Sequence, residues 1–129
     1  MARVLLADDD PETRLTLQTL LEAGGYRVDS AASAAEAVGK LEDHEYELVL
    51  TDLHMESPES GLRVLAHARM VDYKPATALI TTYQKKRAKS TGKALYIEPE
   101  NVPELLDKVA DLISDRAQRR VQREMRQAG

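Results

Sequence analysis

The 129-residue chain contains no cysteine, so disulfide bonds, thiolate metal sites and thiol chemistry are excluded. It also has no apolar run near the roughly 20 residues that a membrane-spanning helix requires. The first residues lead directly into a short apolar segment, without the charged, apolar and cleavage segments of a secretory signal. These absences predict a cytoplasmic protein with no membrane-spanning part.

Length and composition predict one folded domain, because 129 residues with 43% hydrophobic and 31% charged side chains are typical of a compact globular chain. The charge is uneven. The last 16 residues hold five arginines against two acidic residues and carry +3, so the other residues carry −7 of the total of −4. An acidic body argues against direct nucleic-acid binding, which depends on a cationic surface.

Short apolar segments that are typical of strands lie at residues 3–7, 27–31, 48–51, 78–81 and 94–97. Amphipathic segments with helix-start signals separate them, such as the capping residue Asp10 before Pro11 and the capping box that begins at Ser33. This alternation predicts an α/β fold, a doubly wound five-stranded parallel sheet with the flavodoxin-like order 2-1-3-4-5. In such a sheet the ligand site lies at the carboxyl ends of the strands, here between strands one and three.

Acidic residues follow both of those strands: Asp8, Asp9 and Asp10 come after the first, and Asp52 comes after the third. Two carboxylates about 5 Å apart repel by about 3 kcal/mol at an effective dielectric constant of ~20, so such a cluster favours a cation. Mg²⁺ fits, because it prefers oxygen ligands and leaves positions for water and phosphate. The alternative is that Asp10 caps a helix and that Asp8 and Asp9 are solvated loop residues.

Four short motifs together resemble a response-regulator receiver domain. They are AlaAspAspAsp at 7–10, AspLeuHisMet at 52–55, IleThrThr at 80–82 and Pro99 after the fifth strand. The resemblance covers residues 3–114, and its specificity lies in the combination of motifs. It implies that the chain is a phosphoprotein of two-component phosphorelay signalling. Such a protein is not an enzyme and catalyses at most its own phosphorylation and dephosphorylation at Asp52.

The resemblance also implies residue roles. Asp52 matches the aspartate that accepts a phosphoryl group from a histidine kinase or a phosphotransfer protein. Asp9 matches a direct Mg²⁺ ligand and Asp8 a ligand through water, and Asp52 and the backbone carbonyl of His54 complete the metal set. Thr81 matches the hydroxyl residue that turns towards the phosphoryl group and so signals to a downstream protein target.

Glu98 is the main departure from the family pattern. The family has a lysine before the proline, where this chain reads TyrIleGluPro at 96–99. An inward glutamate would change the interaction with a phosphoryl group by roughly 6 kcal/mol, so the chain resembles an atypical receiver. Two functions stay open: phosphoryl switching at Asp52, or a phosphorylation-independent pseudo-receiver that acts as an interaction module. We expect the peptide bond before Pro99 to be cis.

Two further departures concern loops. Only 16 residues separate Thr81 from Glu98, so the helix between strands four and five is predicted to be short, irregular or absent. Glu56 stands where the family has a proline, and Gly61 comes one place late, which predicts a one-residue insertion in the loop over the site.

Two other function classes are less well supported. An aspartate-nucleophile phosphatase needs a second acid two places after its nucleophile, where this chain has His54. Nucleotide binding at the first strand is disfavoured, because no glycine-rich phosphate loop follows it.

The last helix is predicted to extend beyond the receiver domain, which we assign to residues 1–114. Its core-facing stripe consists of Leu105, Leu106, Val109, Leu112 and Ile113. The remaining residues, 115–129, continue the apolar spacing only at Ala117, Val121 and Met125. This extension is either a solvated helical tail or a linker helix that leads to an output domain or a homodimer partner.

Overall fold

The computed structural model describes residues 1–80, 96–97 and 101–128. Its strands are β1 (Arg3–Ala7), β2 (Arg27–Ala31), β3 (Leu48–Asp52), β4 (Ala76–Ile80) and β5 (Tyr96–Ile97). All neighbouring strands are parallel, and their order is β2-β1-β3-β4-β5. The predicted doubly wound sheet and its flavodoxin-like order are therefore confirmed.

The four described helices are α1 (Pro11–Ala23), α2 (Ala34–Asp43), α3 (Ser60–Met70) and α4 (Val102–Ala128). Capping residues open three of them, including the predicted Asp10 and Ser33. The side chains of Asp10, Ser33 and Asn101 each accept a hydrogen bond from the backbone amide three residues further on, at 3.0, 3.1 and 3.2 Å. These bonds satisfy amides that have no partner within the helix.

The hydrophobic core has two layers, because successive strand residues point to opposite faces of the sheet. On one face, Val4 and Leu6 of β1 pack with residues of α1 and α4. On the other face, Leu5 and Ala7 pack with residues of α2 and α3. All five residues of β3 are buried, as the continuous apolar segment predicted. Each fully buried leucine contributes about 1.5–3 kcal/mol to folding.

Strand boundaries differ slightly from the prediction. β4 begins two residues early, at Ala76, because the amide of Ala76 donates to the carbonyl of Glu47 at 2.9 Å and extends the pairing with β3. β5 is described only at Tyr96 and Ile97, where it pairs with the end of β4. The predicted short or irregular helix before β5 and the predicted cis bond before Pro99 lie outside the described residues.

The extended last helix is observed over 27 residues, and it contacts the body beyond residue 114. Arg116 is only 7% exposed, and its guanidinium donates to the carbonyls of Tyr73 at 2.7 Å and Lys74 at 3.1 Å. Further along, Val121 and Met125 are 54% and 68% exposed. Within the described part of the chain, no helix has both the length and the apolar character required to cross a membrane.

A charged network ties β1 to β2 on the face that carries α2. The carboxylate of Asp29 accepts hydrogen bonds from the guanidinium of Arg3 and, at 2.8 Å, from the hydroxyl of Tyr46. Burial raises the pKa of Asp29, but the hydrogen bonds from Tyr46 and Arg3 outweigh burial, and the pKa is lowered overall. Burial and the bond to Asp29 raise the pKa of Tyr46. The ionised carboxylate therefore stabilises the fold.

Candidate metal site

Three predicted acidic residues meet at the carboxyl ends of the two central strands. Asp8 directly follows β1, and Asp52 is the last residue of β3, where Ala7 is paired with Thr51. One carboxylate oxygen from each of Asp8, Asp9 and Asp52 lies within 4.8 Å of the other two. The strand register thus brings together residues that are more than forty positions apart in sequence.

The environment of the three carboxylates differs. Asp8 and Asp52 are 3% and 2% exposed, whereas Asp9 is exposed to solvent. Two hydrogen bonds hold Asp8 in place. Its side-chain Oδ1 accepts a hydrogen bond from the amide of Asp10 at 2.9 Å, and its backbone carbonyl accepts one from the guanidinium of Arg14 at 2.8 Å. Asp8 is therefore a fixed residue of the site, and the solvated-loop alternative does not describe it.

Asp10 has a different role from its two acidic neighbours. Its carboxylate accepts hydrogen bonds from the amide and the hydroxyl of Thr13, in the first turn of α1. This is the helix-capping alternative that the sequence left open for Asp10. The candidate metal site accordingly consists of Asp8, Asp9 and Asp52.

The donor set fits a hard cation such as Mg²⁺. Mg²⁺ is usually bound by one or two carboxylates together with water and phosphate oxygens. One oxygen from each of the three carboxylates lies within 4.8 Å of the other two, so all three can face one ion, directly or through water. The exposure of Asp9 leaves room for the water ligands that Mg²⁺ retains.

The loop between β3 and α3 is held by several hydrogen bonds. The buried hydroxyl of Ser60 accepts from the amide of Met55 and donates to the carbonyl of Ser57, both at 2.8 Å. A ring nitrogen of His54 lies 3.1 Å from the carbonyl of Pro58. The imidazole is therefore engaged within the loop, and the metal role that the sequence predicts for His54 involves only its backbone carbonyl.

Gly61 allows α3 to start against the backbone of this loop. A Cβ atom at this position would lie 2.2 Å from the carbonyl oxygen of Asp52 and 2.6 Å from Cα of Leu53. The amide of Gly61 also donates to the carbonyl of Leu53 at 2.9 Å. Any larger residue would displace the backbone that follows the candidate acceptor.

Sequence reasoning missed the contact made by Glu56. Its carboxylate accepts from the amide of Ala34, the first residue of α2, at 3.1 and 3.0 Å from the two oxygens. An anion at a helix N-terminus is favourable, so Glu56 fastens the loop over the site to α2. The two residues are 22 positions apart, and no local pattern in the sequence indicates this pairing.

Two predicted site residues, Thr81 and Glu98, lie outside the described residues.

Comparisons with known proteins found similar chains. The sensory/regulatory protein RpfC of Xanthomonas campestris pv. campestris is 31% identical over 119 residues, which cover 85% of the chain but 16% of RpfC. The chain thus spans less than a fifth of that relative's length.

Two solved structures are also similar. The response regulator TrrA of Thermotoga maritima, in complex with Mg²⁺-BeF, has 31% identity and a TM-score of 0.69, covering 87% of this chain and 99% of its own. A chain from the complex of histidine kinase ThkA with TrrA has 33% identity and a TM-score of 0.72, with 87% and 98% covered.

The family model described as the response regulator receiver domain matches residues 4–109, most of the described sheet and its helices. With this match and the site geometry together, the chain belongs to the response regulator receiver domain family.

Proposed function

We propose that Asp52 accepts a phosphoryl group while Asp8 and Asp9 hold Mg²⁺ beside it. The observation that carries this proposal is the convergence of one oxygen from each of the three carboxylates within 4.8 Å at the ends of β1 and β3. The backbone carbonyl of His54 keeps its predicted role as a further metal ligand. Thr81 keeps its role as the switch hydroxyl.

In the proposed step, a carboxylate oxygen of Asp52 attacks the phosphorus atom of the donor. A new oxygen–phosphorus bond forms while the bond to the leaving group breaks, and that group departs with the bonding electron pair. Bound Mg²⁺ supplies the positive charge that lets two anions meet. The burial of Asp52 limits the access of water to the acyl phosphate product.

We propose a histidine kinase or a phosphotransfer protein as the donor, in the cytoplasm, and contact with a downstream protein as the output. The complex of the relative TrrA with the histidine kinase ThkA supports the choice of donor. The relative's Mg²⁺-BeF complex supports Mg²⁺ as the metal. The modified aspartate carries nearly two negative charges and several acceptor oxygens in place of a single carboxylate, which favours reorientation of a nearby hydroxyl towards it.

The test has two stages on the same protein. First, Mg²⁺ is titrated while amide resonances of residues 7–10 and 52–55 are followed by NMR. Second, acetyl phosphate or beryllofluoride is added with Mg²⁺, and intact mass spectrometry measures the gain of one phosphoryl group from acetyl phosphate. We expect saturable shifts in both segments, and a modified mass that requires Mg²⁺.

Matched variants separate the roles of the acids. Asp52→Asn should remove the modification, and Asp9→Asn should weaken Mg²⁺ binding. Asp10→Asn is the control, since it removes a neighbouring charge while asparagine still caps α1. If neither Mg²⁺ with acetyl phosphate nor Mg²⁺ with beryllofluoride perturbs the residues around Asp52, the pseudo-receiver alternative replaces this proposal.

A further inference from the structure

A second concave site lies at the opposite end of the sheet from Asp52. It is a cavity of about 650 Å³ between the second half of α4 and the start of β4, and we call it the cationic pocket. Its charged lining residues are Arg69, Lys74, Arg119, Arg123 and Arg126, and no acidic side chain among the described residues lines it. All five of these side chains are exposed, so the site is open to solvent and accessible to a ligand.

The sheet register separates this pocket from the metal site. Ala76, in the pocket wall, pairs with Leu48 at the start of β3, whereas Asp52 pairs with Ile80 at the other end of β4. Four residue steps along a parallel strand correspond to about 13 Å. The pocket therefore belongs neither to the metal site nor to the loops around it.

The wall of the pocket is structurally fixed. The buried guanidinium of Arg116 binds the carbonyls of Tyr73 and Lys74, and so joins α4 to the turn before β4. Lys74 has a φ of 44°, a left-handed conformation that non-glycine residues rarely adopt. Its ammonium group donates to the carbonyl of Arg69 at 2.6 Å. Backbone strain of this kind is maintained where the surrounding contacts hold it, and it is frequent at ligand sites.

The positive charge of the pocket is not neutralised within the described part of the chain. Among residues 1–80, 96–97 and 101–128, no ion pair includes any of its five cationic residues, whereas the neighbouring Arg120 pairs with Glu124 at 3.6 Å. Burial lowers the pKa of the neighbouring Arg116, and the positive charges of Arg120 and Arg123 lower it further, while two nearby glutamates act in the opposite direction. An anion bound beside Arg123 would reduce the repulsion among these cations.

The arrangement of the arginines restricts the shape of that anion. Arg119, Arg123 and Arg126 have helical spacing that places them on one face of α4, along roughly 10 Å. Arg69 and Lys74 line the pocket from α3 and the turn before β4. A guanidinium binds phosphate with two parallel hydrogen bonds, so the arginine row on α4, together with these two cations, can hold a short chain of phosphates.

We propose that the cationic pocket binds an oligophosphate anion, such as the triphosphate group of a nucleotide or inorganic tripolyphosphate. An extended acidic peptide presents same-side carboxylates only every ~7 Å, so it would match fewer of the clustered cations. A second copy of this chain would have to place acidic surface against this pocket, and such a contact between unlike surfaces would be head-to-tail and open-ended. The missing phosphate loop after β1 does not bear on this pocket, because its phosphate ligands are side chains.

The test is isothermal titration of the full chain with inorganic tripolyphosphate, ATP and a hexaglutamate peptide. It is run with EDTA at physiological salt, so that no divalent ion links the probe to the acidic site. We expect saturable binding of tripolyphosphate, and of ATP as well. Tighter binding of ATP would add a contact of its nucleoside with the apolar wall at Pro75 and Leu112.

Two variants of the same helix provide the decisive comparison. Arg119→Gln with Arg123→Gln should weaken tripolyphosphate binding about tenfold or more, because each lost bond is charge-assisted. Arg120→Gln removes a charge from α4 outside the pocket and should leave the affinity within about twofold. Circular dichroism checks that all variants remain helical.

Three results would overturn the proposal: no saturable binding of either phosphate probe, equal losses in Arg120→Gln and in the pocket variant, or tighter arginine-dependent binding of the peptide. An unchanged affinity in Asp52→Asn would support a site that is separate from the phosphoacceptor.

Discussion

Replacing Gly61 by alanine tests whether the start of α3 and the end of β3 are as close as the structure places them. The new Cβ would lie 2.2 Å from the carbonyl oxygen of Asp52 and 2.6 Å from both Cα and the carbonyl oxygen of Leu53. All three are backbone atoms, so no side-chain rotation can relieve the contacts. The backbone after the candidate acceptor must therefore move.

The expected size of the effect follows from two opposing terms. Real Cβ atoms essentially never approach closer than 3.0 Å, so the Asp52 carbonyl must shift by about 0.8 Å from its position at 2.2 Å. Overpacking of this kind costs about 1–3 kcal/mol and occasionally more. Alanine gains about 1 kcal/mol over glycine in a helix, which offsets only part of this cost. Contacts with three backbone atoms place the cost at the upper end of that range, so we expect a net loss of about 2 kcal/mol in the free energy of unfolding.

Gly39 is the matched control, because it also lies inside a helix and a Cβ there would meet no atom within 4 Å. Gly39→Ala should stabilise the protein by about 0.5–1 kcal/mol. Urea unfolding followed by circular dichroism measures both variants. A Gly61→Ala protein that is as stable as wild type, or a Gly39→Ala protein that is equally destabilised, would refute the close approach.

The same variant should also change metal binding. The displaced carbonyl belongs to Asp52, so its carboxylate and the loop that carries His54 would move with it. We expect weaker Mg²⁺ binding in Gly61→Ala and unchanged binding in Gly39→Ala, measured by the same NMR titration. Unchanged Mg²⁺ affinity in a destabilised Gly61→Ala protein would show that the loop position does not control the site.

Three further predictions concern stability. Asp29→Asn should lower the free energy of unfolding by about 1–3 kcal/mol at neutral pH. Because folding lowers the pKa of Asp29, the extra stability of the wild type is complete above the ordinary carboxyl pKa of 3.8 and is lost as pH falls below it. Urea unfolding of both proteins across this pH range measures the difference. Glu56→Gln should cost about 0.3–1 kcal/mol at low salt and less at high salt, since it removes an anion from the N-terminus of α2. Ser60→Ala should cost about 1–3 kcal/mol, because it leaves a loop amide without its acceptor; an unchanged melting midpoint would contradict this.

The sheet was predictable because its signals are local. The continuous apolar run of β3 indicates a strand covered on both faces, and the capping residues mark the helix starts within one turn. The sequence predicts a start of β4 two residues later than the observed one, because the hydrogen bond from Ala76 to Glu47 joins segments that are far apart in the chain. Boundaries of this kind depend on pairing partners, which a linear pattern does not contain.

The candidate site was predictable to the same extent. The sequence alone predicts that Asp8 and Asp52 lie close together, because the carboxyl ends of adjacent parallel strands lie at the same edge of the sheet. The contacts of Glu56 with α2 and of Arg116 with the turn before β4 could not be predicted, since they join residues 22 and more than 40 positions apart. The sequence comparison marks Glu56 only as a replacement of the family's proline, whereas its negative charge is the property that makes the contact with α2.

The two proposed sites should act independently at physiological salt. They lie about 13 Å apart along β4, which exceeds the Debye length of about 8 Å, and the cations of the pocket are exposed to solvent, so salt screens much of their interaction with charge at the other end. Asp52→Asn should therefore change the affinity for tripolyphosphate by less than about twofold. Binding couplings are reciprocal, so a larger change would require that an anion in the cationic pocket also alters the metal site. Such coupling would have to pass through the packing of β4, because direct electrostatics across this distance is too weak to produce it.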